Sequence, residues 1–255
     1  MLFDSHSHIG TVEFDSDRDE VCKRIEDTGM SYVIDIGVDL ESSMKAIKLA
    51  EKYPWCYATV GYHPHEVKDL DDDTLMLIEG LAKKPKVVAI GEIGLDYYRD
   101  YSPRDLQRKW FREQIRLALK LGMPIVIHDR DANDDVLKIL KEEKAFGTKV
   151  LMHCYSGSRE LARQYVKLGA KISISGTITY KNARRGIEVV EAIPLEHLLI
   201  ETDCPYLTPE PFRGRRNEPT FIKYTAQRVA EIKGISFEEV AETTCNNAKK
   251  FFGIE

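Results

Sequence analysis

PKVVAIGEIGLDYYRDYSPRDLQRKWFREQIRLALKLGMPIVIHDRDA, residues 85–132, holds two apolar runs separated by one amphipathic stretch. Val87–Gly91 and Ile125–His128 are short and β-branched, the pattern of strands covered on both faces. Between them Leu106, Trp110, Leu117 and Leu121 share a face of a helix predicted over Pro103–Leu121. Ser102 is placed to cap it, Pro103 suits its first turn, Gly122 suits its exit, and Pro124 prevents continuation. Strand, helix and strand in this order make a βαβ unit of a parallel sheet.

The same rhythm runs through the whole chain. Strands are predicted at Leu2–His6, Tyr32–Ile36, Cys56–Gly61, Val87–Gly91, Ile125–His128, Val150–His153, Ile172–Ser175 and Leu198–Glu201. Further helices are predicted at Asp17–Asp27, Leu40–Lys52, Asp72–Lys83, Ala132–Glu143, Ser158–Leu168, Asn182–Ala192 and Thr220–Ile232, with tail pieces at Ser236–Glu242 and Cys245–Phe252. At roughly 150 residues per domain, a chain of 255 residues gives about 1.7 domains, which by itself fits one barrel or two small domains. Eight βα units and no linker favour a single TIM-like (β/α)8 barrel over residues 1–255, with its site at the C-terminal ends of the strands. No strand is followed by G-x-G-x-x-G or G-x-x-x-x-G-K-[ST], so an open doubly wound sheet lacks its usual phosphate signature.

Lys and Arg number 37 against 42 Asp and Glu, a net charge of −5, so binding to nucleic acid through bulk positive charge is disfavoured and any polyanion contact is local. Five scattered cysteines without C-x-x-C fit neither a disulfide framework nor a zinc ribbon, and point to a reducing compartment. The start MLFDSHSHIG has no signal-peptide pattern, and no run approaches the roughly 18 apolar residues of a membrane span, so a cytoplasmic protein is expected. The acids of DLDDD at 69–73 are read as complementing the dipole of the Asp72 helix. Arg213, Arg215 and Arg216, in PFRGRRNEP, are either a solvated loop or the local polyanion contact.

Of the seven histidines, all but His197 end strands. His6 and His8 flank Ser7 and point the same way from an extended segment, offering two imidazoles to one cation. His63 and His65 repeat the spacing, His128 closes IVIH and His153 closes KVLMH. Glu92 follows VVAIG and Asp203 follows LLIET, positions where barrel enzymes place catalytic groups. Cys154 and Cys204 neighbour His153 and Asp203 and face away as packing residues. These nitrogen and oxygen ligands, with Glu92 able to bridge, fit two divalent ions about 3.5–4 Å apart.

FDSHSHIG at 3–10, VGYHPH at 60–65, AIGEIGLDYY at 89–98, IVIHDRDA at 125–132, MHCYSG at 152–157, SISGTIT at 173–179 and ETDCPYLTPEPFRGRRNEP at 201–219 form an ordered series. In it the chain resembles, from end to end, the TatD family of metal-dependent deoxyribonucleases within the amidohydrolase-like metal barrels. The resemblance implies that His6, His8 and Asp203 hold one ion, that His128 and His153 hold the other, and that Glu92 bridges them. It also implies phosphodiester hydrolysis, usually of DNA, with 3′-5′ exonuclease action on some relatives' part. Two departures stand out. Ile9 is followed by Gly10 where relatives often have an acid, and HDRDA carries aspartates where relatives commonly have a neutral residue and Glu, while Arg130 is retained.

The chemistry expected is in-line attack on phosphorus by a metal-bound hydroxide. Asp203 is the expected proton acceptor, and His63, His65, Arg130, Arg213 and Arg216 are the expected phosphate contacts. DNA is the expected substrate, held locally, with no membrane and no obligate protein partner implied. Imidazole ligands suit Zn²⁺, Mn²⁺, Ni²⁺ or iron, whereas Mg²⁺, commonly used with the family, prefers oxygen. The competing reading is a binuclear amidohydrolase acting on a cyclic amide, lactone or nucleobase. Such enzymes commonly place a carboxylated lysine at the fourth strand, where this chain has Glu92.

Overall fold

The computed structural model describes residues 1–255. Its strands are β1 (Phe3–Ser7), β2 (Tyr32–Asp35), β3 (Cys56–Val60), β4 (Val87–Asp96), β5 (Ile125–Arg130), β6 (Val150–Met152), β7 (Lys171–Ile174) and β8 (Leu198–Ile200). The helices are α1 (Arg18–Asp27), α2 (Leu40–Lys52), α3 (Asp72–Ala82), α4 (Arg104–Leu121), α5 (Asn133–Glu142), α6 (Arg159–Lys167), α7 (Arg184–Ala192), α8 (Ile222–Lys233) and α9 (Phe237–Phe252). The strands lie in one sheet in sequence order, with a helix after each, which is the (β/α)8 arrangement expected from the sequence. No helix is long and apolar enough to cross a membrane.

The chain divides into two compact units, Met1–Asp35 with Cys154–Glu255, and Ile36–His153. In the first, β1 pairs parallel with β2 (Asp4 beside Val33) and β7 with β8 (Ile174 beside Ile200). The segment after β8 is bonded to β1: Asp203 N–H donates to His6 O at 2.9 Å and His8 N–H to Cys204 O at 2.8 Å. α9 is one helix where the sequence reading placed two tail pieces. Thr243 and Thr244 read as a break, but the Thr244 hydroxyl donates to Val240 O at 2.8 Å. The face carrying Val240, Ala241, Thr244, Cys245, Ala248, Phe251 and Phe252 is buried without interruption. Burial of that stripe, about 1.5–3 kcal/mol for each large apolar side chain, outweighs the weak helix propensity of the threonines.

In the second unit β3, β4, β5 and β6 pair in parallel. β4 continues past the expected Gly91 to Asp96 and is buried from Ala89 onward. Gly94 permits this: its φ is +150°, and a Cβ there would stand 1.9 Å from His128 O on β5. Only a residue without a side chain lets the two backbones approach so closely. α4 ends at Gly122, with φ +65°, as expected. Its start differs, because Pro103 is the N-cap and Ser102 makes no cap bond. The Ser102 hydroxyl instead donates to His65 O at 2.7 Å and accepts from Lys68 N–H at 3.2 Å, fixing the histidine loop after β3. Asp71 of DLDDD accepts from Thr74 N–H at 2.8 Å and caps α3.

Candidate metal-binding site

Alternation along β1 puts Asp4 and His6 on one side, and the extended chain beyond carries His8 to it as well. The Nε2 atoms of His6 and His8 lie 3.3 Å apart. Asp203 Oδ1 is 3.3 Å from His8 Nε2 and 3.7 Å from His6 Nε2. Asp203 reaches them from a left-handed backbone position, φ +56°, which aspartate tolerates better than most residues. Two imidazole nitrogens and one carboxylate oxygen turned toward one point in a buried setting form a donor set suited to a divalent cation.

Behind them Asp4 is fully buried and accepts from Thr202 N–H at 2.9 Å and His6 N–H at 3.3 Å. Burial pushes its carboxyl up to about 8, against the Thr202 hydrogen bonds. Asp4 therefore braces β1 against the segment that carries Asp203. The sequence reading missed it, although its two-residue spacing from His6 was visible. The Gly10 departure also has a local answer. Gly10 N–H donates to Asp35 Oδ1 at 3.3 Å, so β2 supplies an acid to this turn, one that burial pushes up to about 6.

In the second unit three imidazoles surround one carboxylate. Glu92 Oε1 is 2.7 Å from His128 Nδ1, 2.7 Å from His153 Nε2 and 3.6 Å from His63 Nε2, and Glu92 is buried. His63, Glu92 and His128 offer ligand atoms close enough to share an ion. Burial and the neighbouring His128 push His63 well below the usual imidazole range, which favours the neutral, ligating form. The sequence reading gave His63 only a phosphate role.

Asp96, also missed, stands four residues beyond Glu92 on the same side of β4. Its Oδ2 lies 2.8 Å from His65 Nε2 and 3.2 Å from His128 Nε2, while Oδ1 accepts from Tyr98 N–H at 3.0 Å and Arg99 N–H at 2.8 Å. Burial pushes Asp96 up, but the two imidazoles and the Arg99 N–H outweigh it and hold the carboxyl well below its usual range. His128 is conversely raised: burial lowers it, but Asp96 and Glu92 outweigh that effect. An outer carboxylate that orients a histidine typically contributes 10–100-fold in metal affinity. Asp96→Asn is accordingly expected to weaken Mn²⁺ binding about 30-fold in a calorimetric titration, with an unchanged circular dichroism spectrum.

The arginines are distributed differently. Arg130, exposed at the end of β5, stands 4.2 Å over the Tyr98 ring, and Arg213 stands 4.3 Å over Tyr180. Arg216 donates to both Asp17 oxygens at 2.7 and 2.6 Å and to Glu13 O at 2.7 Å, and it covers the Phe14 ring. Its guanidinium ties the loop to the α1 segment. Cys204 is fully buried, and Cys154 Sγ donates to Ser175 Oγ at 3.3 Å.

Residues 3–253 match the model of the TatD related DNase family. The chain is 46% identical over 254 residues to the "Uncharacterized metal-dependent hydrolase YabD" of Bacillus subtilis, covering 100% of both chains. It is 39% identical over 263 residues to the "3'-5' ssDNA/RNA exonuclease TatD" of Escherichia fergusonii, covering 99% of each. Among solved structures, the YJJV TatD homolog from Escherichia coli k12 superposes with a TM-score of 0.93 at 30% identity, covering 100% of this chain and 98% of that one. With the family model spanning nearly every residue and both ligand groups falling inside it, this chain is an enzyme that belongs to the TatD related DNase family.

Proposed function

We propose that the protein hydrolyses phosphodiester bonds at the 3′ end of single-stranded nucleic acid, with DNA the principal substrate. The observation that carries this reading is the pair of histidine and carboxylate groups at the strand ends, in a chain 39% identical to a relative named for that exonuclease activity. His6, His8 and Asp203 hold one divalent ion, and Glu92, His128 and His153 hold a second, with His63 beside them. Bound divalent ions supply Lewis acidity, which lowers the pKa of water and offsets charge on attacking and leaving oxygens.

The side chains do the rest. Asp203 takes the proton of the attacking water on a carboxylate oxygen. His65, fixed by Asp96, and Arg130 donate to the phosphate oxygens. Arg213 adds a further cation, while Arg216 is engaged with Asp17. Imidazole-rich donor sets favour Zn²⁺, Mn²⁺ or Ni²⁺ over Mg²⁺. Five scattered cysteines without C-x-x-C support a reducing, cytoplasmic setting, and the union of His6 and His8 with Asp203 from opposite ends of the sequence supports one catalytic domain. A chain with no lysine at the C-terminal end of β4 lacks the bridge of the competing amidohydrolase reading.

The test is digestion of 5′-labelled single-stranded DNA, with and without EDTA, beside RNA, a small chromogenic phosphodiester and a panel of cyclic amides and lactones. EDTA-sensitive shortening of the DNA from its 3′ end is the expected result. Turnover of an amide or lactone, with no cleavage of any phosphodiester, would overturn the reading.

A further inference from the structure

Most aromatic side chains of this protein are covered, but Tyr98, Tyr101 and Tyr206 are more than half exposed, at 57%, 59% and 51%. All three follow the C-terminal ends of strands. Tyr206, after β8, stands 6.1 Å from the His8 ring. Tyr101, after β4, meets the His65 ring edge-on at 4.8 Å. Tyr98 carries the Arg130 guanidinium at 4.2 Å and the Arg99 guanidinium at 5.5 Å. The intervening loop is held firmly: Asp96 Oδ1 takes the Tyr98 and Arg99 N–H groups, and Arg104 donates to Tyr97 O at 3.1 Å. Tyr97 itself is used internally, its hydroxyl donating to Asp135 at 2.6 Å.

We propose that Tyr98 and Tyr101 form a stacking platform for a nucleobase of the substrate strand next to the scissile phosphate, an inference that rests on the function proposed above. Exposed tyrosine faces beside arginines are the combination with which proteins hold single strands without reading sequence: the rings stack on any base and the cations attend the backbone. The local charge matters because the whole chain is acidic, with a net charge of −5. Asp96 links the two functions, since the carboxylate that orients His65 and His128 also folds the Tyr98 turn. A base on Tyr101 would bring its own phosphate toward His65, which gives the platform a part in positioning as well as in affinity.

The test pairs a side-chain deletion with a base deletion. Tyr101→Ala, Tyr98→Ala, the double variant and Tyr101→Trp are assayed on single-stranded DNA, and on the same strand with one abasic site scanned through its last three positions. For Tyr101→Ala, kcat/KM on normal DNA falls about tenfold, mainly through KM. One abasic position reproduces that loss in the wild type and adds nothing in the variant, while Tyr101→Trp restores activity. Fluorescence anisotropy in EDTA reads the same weakening without metal. Equal losses on normal and on every abasic strand would assign the tyrosines a purely structural role, and no loss would remove the platform. A wild type that digests no nucleic acid would instead remove the function on which the platform rests.

Discussion

Replacing Asp203 by asparagine lowers kcat by about a thousandfold while the fold survives. The backbone argument comes first. Asp203 has φ +56°, and asparagine is among the few side chains that accept the left-handed region readily. Its N–H still donates to His6 O, so the seam between β1 and the segment after β8 is retained. The side-chain change is nearly isosteric, and an amide oxygen still faces His6 and His8. What disappears is one negative charge and the oxygen proposed to receive the water's proton. General base catalysis typically contributes 10²–10⁴-fold, and the lost charge weakens the hold on the cation further. The check is kcat on single-stranded DNA at saturating Mn²⁺, with circular dichroism and the melting temperature alongside. Turnover within tenfold of wild type would assign proton transfer to another group.

The proposed ligands were legible because strand alternation and strand ends are sequence properties: a histidine two residues from another on an extended segment shares its side, whatever the fold around it. Asp96 was not legible for the same reason in reverse. The strand was read as ending at Gly91, whereas Gly94 is what lets β4 run on close beside β5 and carry Asp96 to His65 and His128. Asp4 lies inside the quoted FDSHSHIG motif and was given no role there, yet its burial and the Thr202 bonds hold β1 beside the Asp203 segment. Ser102 had the right residue type for a helix cap and was used by the His65 loop, a choice set by tertiary contacts. The arginine loop shows the limit of composition most clearly. Arg213 and Arg216 are three residues apart, but Arg216 is drawn to Asp17, a partner far away in sequence.

Glu92→Gln carries the second large effect. In the native chain one carboxylate oxygen, Oε1, meets His128 Nδ1 and His153 Nε2 at 2.7 Å, with His63 Nε2 at 3.6 Å. Glutamine keeps the length and an oxygen but removes the charge around which these imidazoles gather. The imidazoles then face a divalent ion without the carboxylate they share, and Asp96 lies on the far nitrogen of His128. A buried dication without its counter-charge is costly, so the ion is lost before the fold is. A Lewis acid of this kind contributes several kcal/mol to phosphoryl chemistry, and the expected loss in kcat/KM is about a thousandfold. Elemental analysis after exhaustive desalting separates the roles open to Glu92. If it serves both ions, the variant retains neither; if it serves only the group of His63, His128 and His153, one ion stays with His6, His8 and Asp203. An unchanged metal content, with activity near that of the wild type, would remove Glu92 from the ligand set and leave the imidazole cluster to hold its cation without it.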